Sequence, residues 1–209
     1  SLNNVIEFGF NANSNTLNFI GNVTTEGLDA NAFVVGGGES NTLLINGNII
    51  TSGRSATGIW LNSVGGKTTT TLTGNISTSG TDAYGVYILT SNDNTTSITG
   101  NVATTGEDAD ALKISGGDRN TINVVGDISA TNGGGFYIDL SDENTINVTG
   151  NTTVGGSSDS AFDINQSNSN TLSITGDIIT SAGTSHGFEV SGDSNNITMT
   201  GDINTAGSN

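Results

Sequence analysis

One nine-residue phrase returns along this chain at nearly constant spacing, so the backbone that carries it must repeat as well. "NTLNFIGNV" runs from Asn15 to Val23, "NTLLINGNI" from Asn41 to Ile49, "NTINVVGDI" from Asn120 to Ile128, and "NTLSITGDI" from Asn170 to Ile178. A Gly followed by Asn or Asp marks the register eight times: Gly21, Gly47, Gly74, Gly100, Gly126, Gly150, Gly176 and Gly201. The gaps are 26, 27, 26, 26, 24, 26 and 25 residues. A period of this size is the mark of a solenoid, in which each unit buries its apolar face only by stacking on its neighbours.

Inside each repeat the pattern has a period of two. Two residues before the Gly sit Phe19, Ile45, Leu72, Ile98, Val124, Val148, Ile174 and Met199. Four before sit Leu17, Leu43, Thr70, Thr96, Ile122, Ile146, Leu172 and Ile197, and six before sits Asn, replaced once by Thr68. Such alternation is a strand with one buried face. A second strand lies upstream, as in Gly58-Ile59-Trp60-Leu61 or Ala161-Phe162-Asp163-Ile164. The short segment after the Gly makes a third. The sequence therefore predicts an all-β, right-handed parallel β-helix with eight coils of roughly 26 residues and three short strands per coil. It forms a single repeat domain over residues 1–209. The predicted rod is roughly 38 Å long at about 4.8 Å per coil. Two length changes stand out. The third coil is longer across Asn62–Thr71, where a bulged corner is expected, and the sixth is two residues short across Ala130–Tyr137.

Apolar residues make up only 32% of the chain, but the regular spacing of Ile, Val and Thr argues against disorder. The net charge is −16, with four basic residues: Arg54, Lys67, Lys113 and Arg119. No basic patch exists to hold nucleic acid or an anionic membrane surface. Without Cys there is no disulfide framework, zinc-thiolate site or cysteine nucleophile. No apolar run approaches the ~18 residues of a spanning helix, and no signal peptide opens the chain. The chain starts in one strand and ends after another, so it is expected to be a segment of something longer.

The repeated Asn and Gly are construction residues. The Asn six before Gly shares the parity of the core, so it points inward and needs partners, which its stacked copies supply. The register Gly is expected at positive φ. With these roles assigned, repeats of the form "NTLxIxGNIxTSG" with "AxGIxL" between them resemble the passenger domains of bacterial autotransporters and related β-helical adhesins. The likeness extends over the whole chain in repeat style and composition. It implies display outside a Gram-negative cell, on the surface or secreted, with a host or neighbouring-cell surface protein or glycan as partner. Contact with a membrane would come only through that family's C-terminal barrel, which these residues do not include.

Function is therefore sought in residues that differ between coils. The outward position of the upstream strand reads Glu7, Val34, Trp60, Tyr87, Lys113, Tyr137, Asp163 and Glu189. Trp60, Tyr87 and Tyr137 are expected to face solvent, with Lys113 among them and Tyr84 close by. Such a patch suits a sugar ring or a protein partner. Asp163 and Glu189 are neighbours and form a carboxylate pair of the kind a polysaccharide-active enzyme requires, yet no basic residue completes a lyase-like site. A non-enzymatic stalk and adhesin is the favoured reading. Acids at the corner before the Asn file (Glu39, Asp93, Asp118, Asp142, Glu143, Asp193) raise the alternative of bridging calcium. His186 has no evident partner. Thr25, Thr51, Thr78, Thr104, Thr180 and Thr205 point inward by parity. The outward file from Thr16 to Thr171 is too narrow for an ice-binding face. The strand edges at either end also allow end-to-end self-association.

Overall fold

The computed structural model describes residues 4–62, 65–181 and 183–206. Each coil gives one strand to each of three eight-stranded sheets, and no helix occurs among the described residues. The first coil contributes Ile6–Phe8, Thr16–Ile20 and Val23–Thr25, and the last Phe188–Val190, Asn196–Thr200 and Ile203–Thr205. Every strand pairs in parallel with its counterpart one coil away, so like stacks on like. Leu17 lies beside Leu43 and Phe19 beside Ile45; Ile98 lies beside Val124, and Val148 beside Ile174. This is the eight-coil, three-strand solenoid that the spacing predicts.

The inward positions fill the rod from end to end with Leu, Ile, Val and Phe in one continuous core. Each such side chain contributes about 1.5–3 kcal/mol by leaving water. Rings stack along the axis as well. Phe136 and Phe162 are 5.4 Å apart at 10°, and Phe162 and Phe188 are 5.4 Å apart at 23°.

The polar files do the work that the spacing assigns to them. In the inner Asn file, the backbone N–H of each member donates to Oδ1 of the Asn one coil on. Asn94 donates to Asn120 at 3.0 Å, Asn120 to Asn144 at 2.8 Å, and Asn144 to Asn170 at 2.8 Å. The Nδ2 groups of Asn120, Asn144 and Asn170 donate to corner carbonyls of the preceding coil at 2.9–3.0 Å. The file is broken at Thr68, which leaves Asn41 Nδ2 and Thr68 Oγ1 buried and unpartnered. The bulge expected at this corner includes Ser63 and Val64, which lie outside the described residues. On its far side Gly66 bridges to Glu39.

The Asn or Asp after each register Gly makes a second, exposed file. Asn22 Oδ1 accepts the N–H of Asn48 at 2.8 Å, and the pattern continues to Asp177, which accepts from Asp202 at 3.0 Å. The side chain imitates a backbone carbonyl one coil away. The register glycines have φ between 139° and 151°. From Gly47 onward, a Cβ at each would run into the carbonyl oxygen of the glycine one coil earlier. Positive φ is not confined to glycine. The residue just before the inner Asn file is left-handed in every coil: Ser14, Ser40, Lys67, Asp93, Arg119, Glu143, Ser169 and Ser194, at 55–61°. The Asn hydrogen bonds fix the corner strongly enough to hold ordinary residues there.

Two substitutions probe this arrangement. Gly100→Ala places a methyl against the Gly74 carbonyl at φ 145°, and is expected to cost about 3 kcal/mol or more in denaturant unfolding. Thr96 sits at a core position with its hydroxyl buried and unpartnered. The isosteric Thr96→Val removes that penalty and is expected to raise stability by about 1 kcal/mol in the same measurement. A loss of stability there would show that the hydroxyl has an acceptor.

Candidate functional site

The first sheet carries the outward file from Glu7 to Glu189 in unbroken register, including Trp60–Tyr87–Lys113–Tyr137. A second file runs beside it at the corner three residues upstream: Asn4, Asn31, Thr57, Tyr84, Asp110, Gly134, Ser160 and His186. Cross-links join the two. Lys113 Nζ donates to Tyr84 Oη at 3.3 Å, and Ser160 Oγ donates to Glu189 Oε2 at 3.1 Å. Of this second file, sequence reasoning singled out only Tyr84 and His186. The signal for the rest was available, because each member precedes an apolar triplet at the same offset.

The structure brings the five candidate residues together. Trp60 and Tyr87 stack at 6.5 Å and 8°, and Tyr84 tilts against Tyr87 at 5.0 Å. The Lys113 ammonium lies 4.7 Å from the Tyr84 ring centre, 4.9 Å from Tyr137 and 5.9 Å from Tyr87. It is thus held in a cage of three aromatic faces. One expectation is corrected. These rings do not stand out in solvent but are half-buried, and Val34 on the same file is buried outright. Neighbours one coil apart cover each other's faces, and the corner file covers one edge. Trp60 Nε1 is buried without an acceptor.

Two hollows flank Tyr84, which lines both. The first, about 300 Å³, is bounded by Asn31, Thr57, Trp60, Asp82 and Tyr87. The second, about 290 Å³, is bounded by Asp108, Asp110, Tyr137, Ser158, Asp159 and Asp163. Its origin is the short sixth coil. The first-sheet offset is 24 residues from Leu112 to Phe136 but 26 from Phe136 to Phe162. Gly134 therefore stands where the adjacent coils carry Asp110 and Ser160, fits tightly between them, and lines this notch without a side chain of its own. The length change was visible in the sequence, but its consequence was not.

The notch is strongly acidic. Asp110 is almost enclosed: its Oδ1 accepts the Gly134 N–H at 2.9 Å, while Lys113 Nζ is 3.9 Å from its Oδ2. Burial pushes its carboxyl up to about 6, and that N–H and the distant ammonium offset only part of the shift. Asp163 is also pushed up to about 6, first by burial and then by Glu189 and Asp139. Asp159 shifts upward through burial and Asp108. Burial, with Asp110, Asp82 and Asp108, lifts the Tyr84 hydroxyl to about 12.

The other acids have different partners. Asp163 and Glu189 are register neighbours as expected. His186 is not alone, since its Nδ1 lies 3.5 Å from Glu189 Oε2. At the corner before the Asn file, Asp118 and Asp142 accept backbone N–H groups of the next coil at 2.9 and 2.6 Å. Arg119 grips Asp93 with two hydrogen bonds at 2.8 and 3.2 Å, which holds that carboxyl below its usual range. Among the described residues, no three His, Cys, Asp or Glu side chains are grouped to hold a metal ion. No protein-family model, curated protein or solved structure matches the chain.

The raised carboxyls give stability a definite pH dependence. Asp110 binds its proton more tightly folded than unfolded, so this contribution is complete below pH 3.8 and fades as pH rises through about 6. Asp93 acts in the opposite sense, and its contribution is lost only on acidification below its ordinary range. Melting temperature is therefore expected to rise by about 4 °C between pH 7.5 and pH 5. Asp110→Asn, which keeps an acceptor for Gly134, should remove much of that rise. A variant that melts with the same pH dependence as the parent would show that Asp110 is not its source.

Proposed function

We propose that this chain is a non-enzymatic β-solenoid segment of a bacterial surface or secreted protein, acting as a rigid stalk with an adhesive face. The observation that carries this reading is the concentration of unlike residues in one place. The single Trp and all three Tyr gather with Lys113 beside two hollows, on a rod otherwise repetitive in Thr, Ser and Asn. Aromatic faces next to polar hollows are the chemistry of recognition, offering large contact area at small entropic cost. The parallel ladders make a stiff mount for it, so little ordering is required when a partner binds. The partner is a surface protein or glycan of a host or neighbouring cell, and the site of action is extracellular. The repeat style that resembles autotransporter passengers supports this placement.

A second reading is a polysaccharide-active enzyme. It is favoured by one observation: Asp110 and Asp163, both near 6, line the same hollow.

The two readings separate in one set of assays. Immobilised protein is tested for capture of bacterial and epithelial cells, and incubated with a panel of neutral and acidic glycans. Adhesion is expected, and Trp60→Ala with Tyr87→Ala is expected to reduce it at least about tenfold. Glycan turnover abolished by Asp163→Asn would establish the enzyme instead.

A further inference from the structure

The notch also carries information about what it takes up, on the reading that this face is a binding surface. Four carboxylates border it: Asp108, Asp110, Asp159 and Asp163. One basic group, Lys113, faces them, and its ammonium already occupies the tyrosine cage. With all four acids ionised, the hollow carries three uncompensated negative charges. An anionic glycan or a phosphate is repelled from such a place. A second, roughly 380 Å³ hollow shares Asp108 and Asp159 and continues the notch past Glu107 and Asn132. The acidic space is therefore elongated. Its carboxylates are too dispersed to converge on one metal ion among the described residues. One of its walls is the Tyr137 ring. Dispersed carboxylates beside an aromatic face suit a cation that is itself extended and partly apolar. Lys113 shows directly which group the cage accepts, an ammonium on an alkyl chain.

We infer that the notch of the sixth coil binds an alkylammonium ligand, the end of a free polyamine or of a lysine side chain, between Tyr137 and the carboxylates of Asp108, Asp159 and Asp163. The ammonium hydrogen-bonds to the carboxylates, and its alkyl chain lies along the ring. Lys113 sits beside it, neutralises Asp110, and repels the ligand from the cage itself. Burial, and after it neighbouring carboxylates, push Asp159 and Asp163 upward, with His186 offsetting part of the shift at Asp163. The groups facing Asp163 are Asp110, Tyr137, Asp139, Glu189 and His186, and those facing Asp110 are Tyr84, Lys113, Asp159 and Asp163.

Titration calorimetry of the whole chain tests this with three probes: spermidine, the peptide acetyl-Gly-Lys-Gly-amide, and mannose as a neutral sugar. Both cations are expected to bind saturably and mannose not to bind. Tighter binding of spermidine identifies a free polyamine as the source, and tighter binding of the peptide identifies a partner's lysine. Affinity should rise about tenfold from pH 5 to pH 7.5 as Asp163 ionises. Asp163→Asn should weaken binding at least about fivefold at pH 7.5. Lys113→Met should act in the opposite direction and tighten spermidine binding about threefold or more, because it removes a repelling charge and vacates the cage. The opposite signs separate a binding effect from simple misfolding. Absence of saturable cation binding, or cation binding untouched by both substitutions, overturns the inference. Mannose binding without cation binding overturns it too, while leaving the adhesive face intact. Loss of adhesion in the Trp60 and Tyr87 variants does not bear on the notch, so the two readings fail separately.

Discussion

Parallel stacking of each residue on its own counterpart is the constraint on which everything else in this rod depends. Strands about 4.8 Å apart in register put like beside like in every file. A residue is admissible only if it tolerates a copy of itself above and below. Aliphatic side chains do so by packing, and phenylalanines by stacking. Asparagine does so because it carries both a donor and an acceptor, so a column of amides satisfies itself. Carboxylates do not, since neighbours of like charge repel. Where acids do stack in the corner files, as at Asp118, Asp142 and Asp177, a backbone N–H from the next coil faces each carboxylate.

The cleft is what results where this rule is relaxed. The first sheet's outward file abandons like-on-like in its middle and runs Trp, Tyr, Lys, Tyr, Asp. A cation placed between aromatic neighbours satisfies the stacking constraint by cation–π attraction rather than identity. Two residues fewer in the sixth coil then open the notch beside it. The acids that border this notch lose hydration without gaining full pairing, which is why the carboxyls of Asp110 and Asp163 are pushed up to about 6. The surrounding ladders fix the geometry and absorb that cost. A rod of identical coils would have neither the hollow nor the perturbed acids.

Much of this was legible from the chain itself. Parity placed Leu43, Ile98 and Asn120 inside, and the even spacing of Gly gave the coil count and the sheet membership of each strand. It also placed Trp60, Tyr87, Lys113 and Tyr137 on one file. Other features were not legible. The half-burial of the aromatic rings depends on how far the corner file leans over them. The pairing of His186 with Glu189 depends on how the corner folds back onto the strand. Left-handed backbone at Arg119 and Glu143 depends on the Asn bonds that lock the next residue, and the local propensity of Arg and Glu does not signal it.

The sequence by itself determined register, inside and outside, and the number of coils, because a period of two within a period near 26 leaves one way to stack the strands. Only the tertiary structure decided that a deletion of two residues becomes a notch. Only there do Asp108, Asp110, Asp159 and Asp163 border one hollow, and Lys113 reach three tyrosines at once. The physical reason is that ladder positions are set by neighbours along the rod, which the repeat encodes. A cavity is set by neighbours around the corner, whose distances no spacing along one coil records.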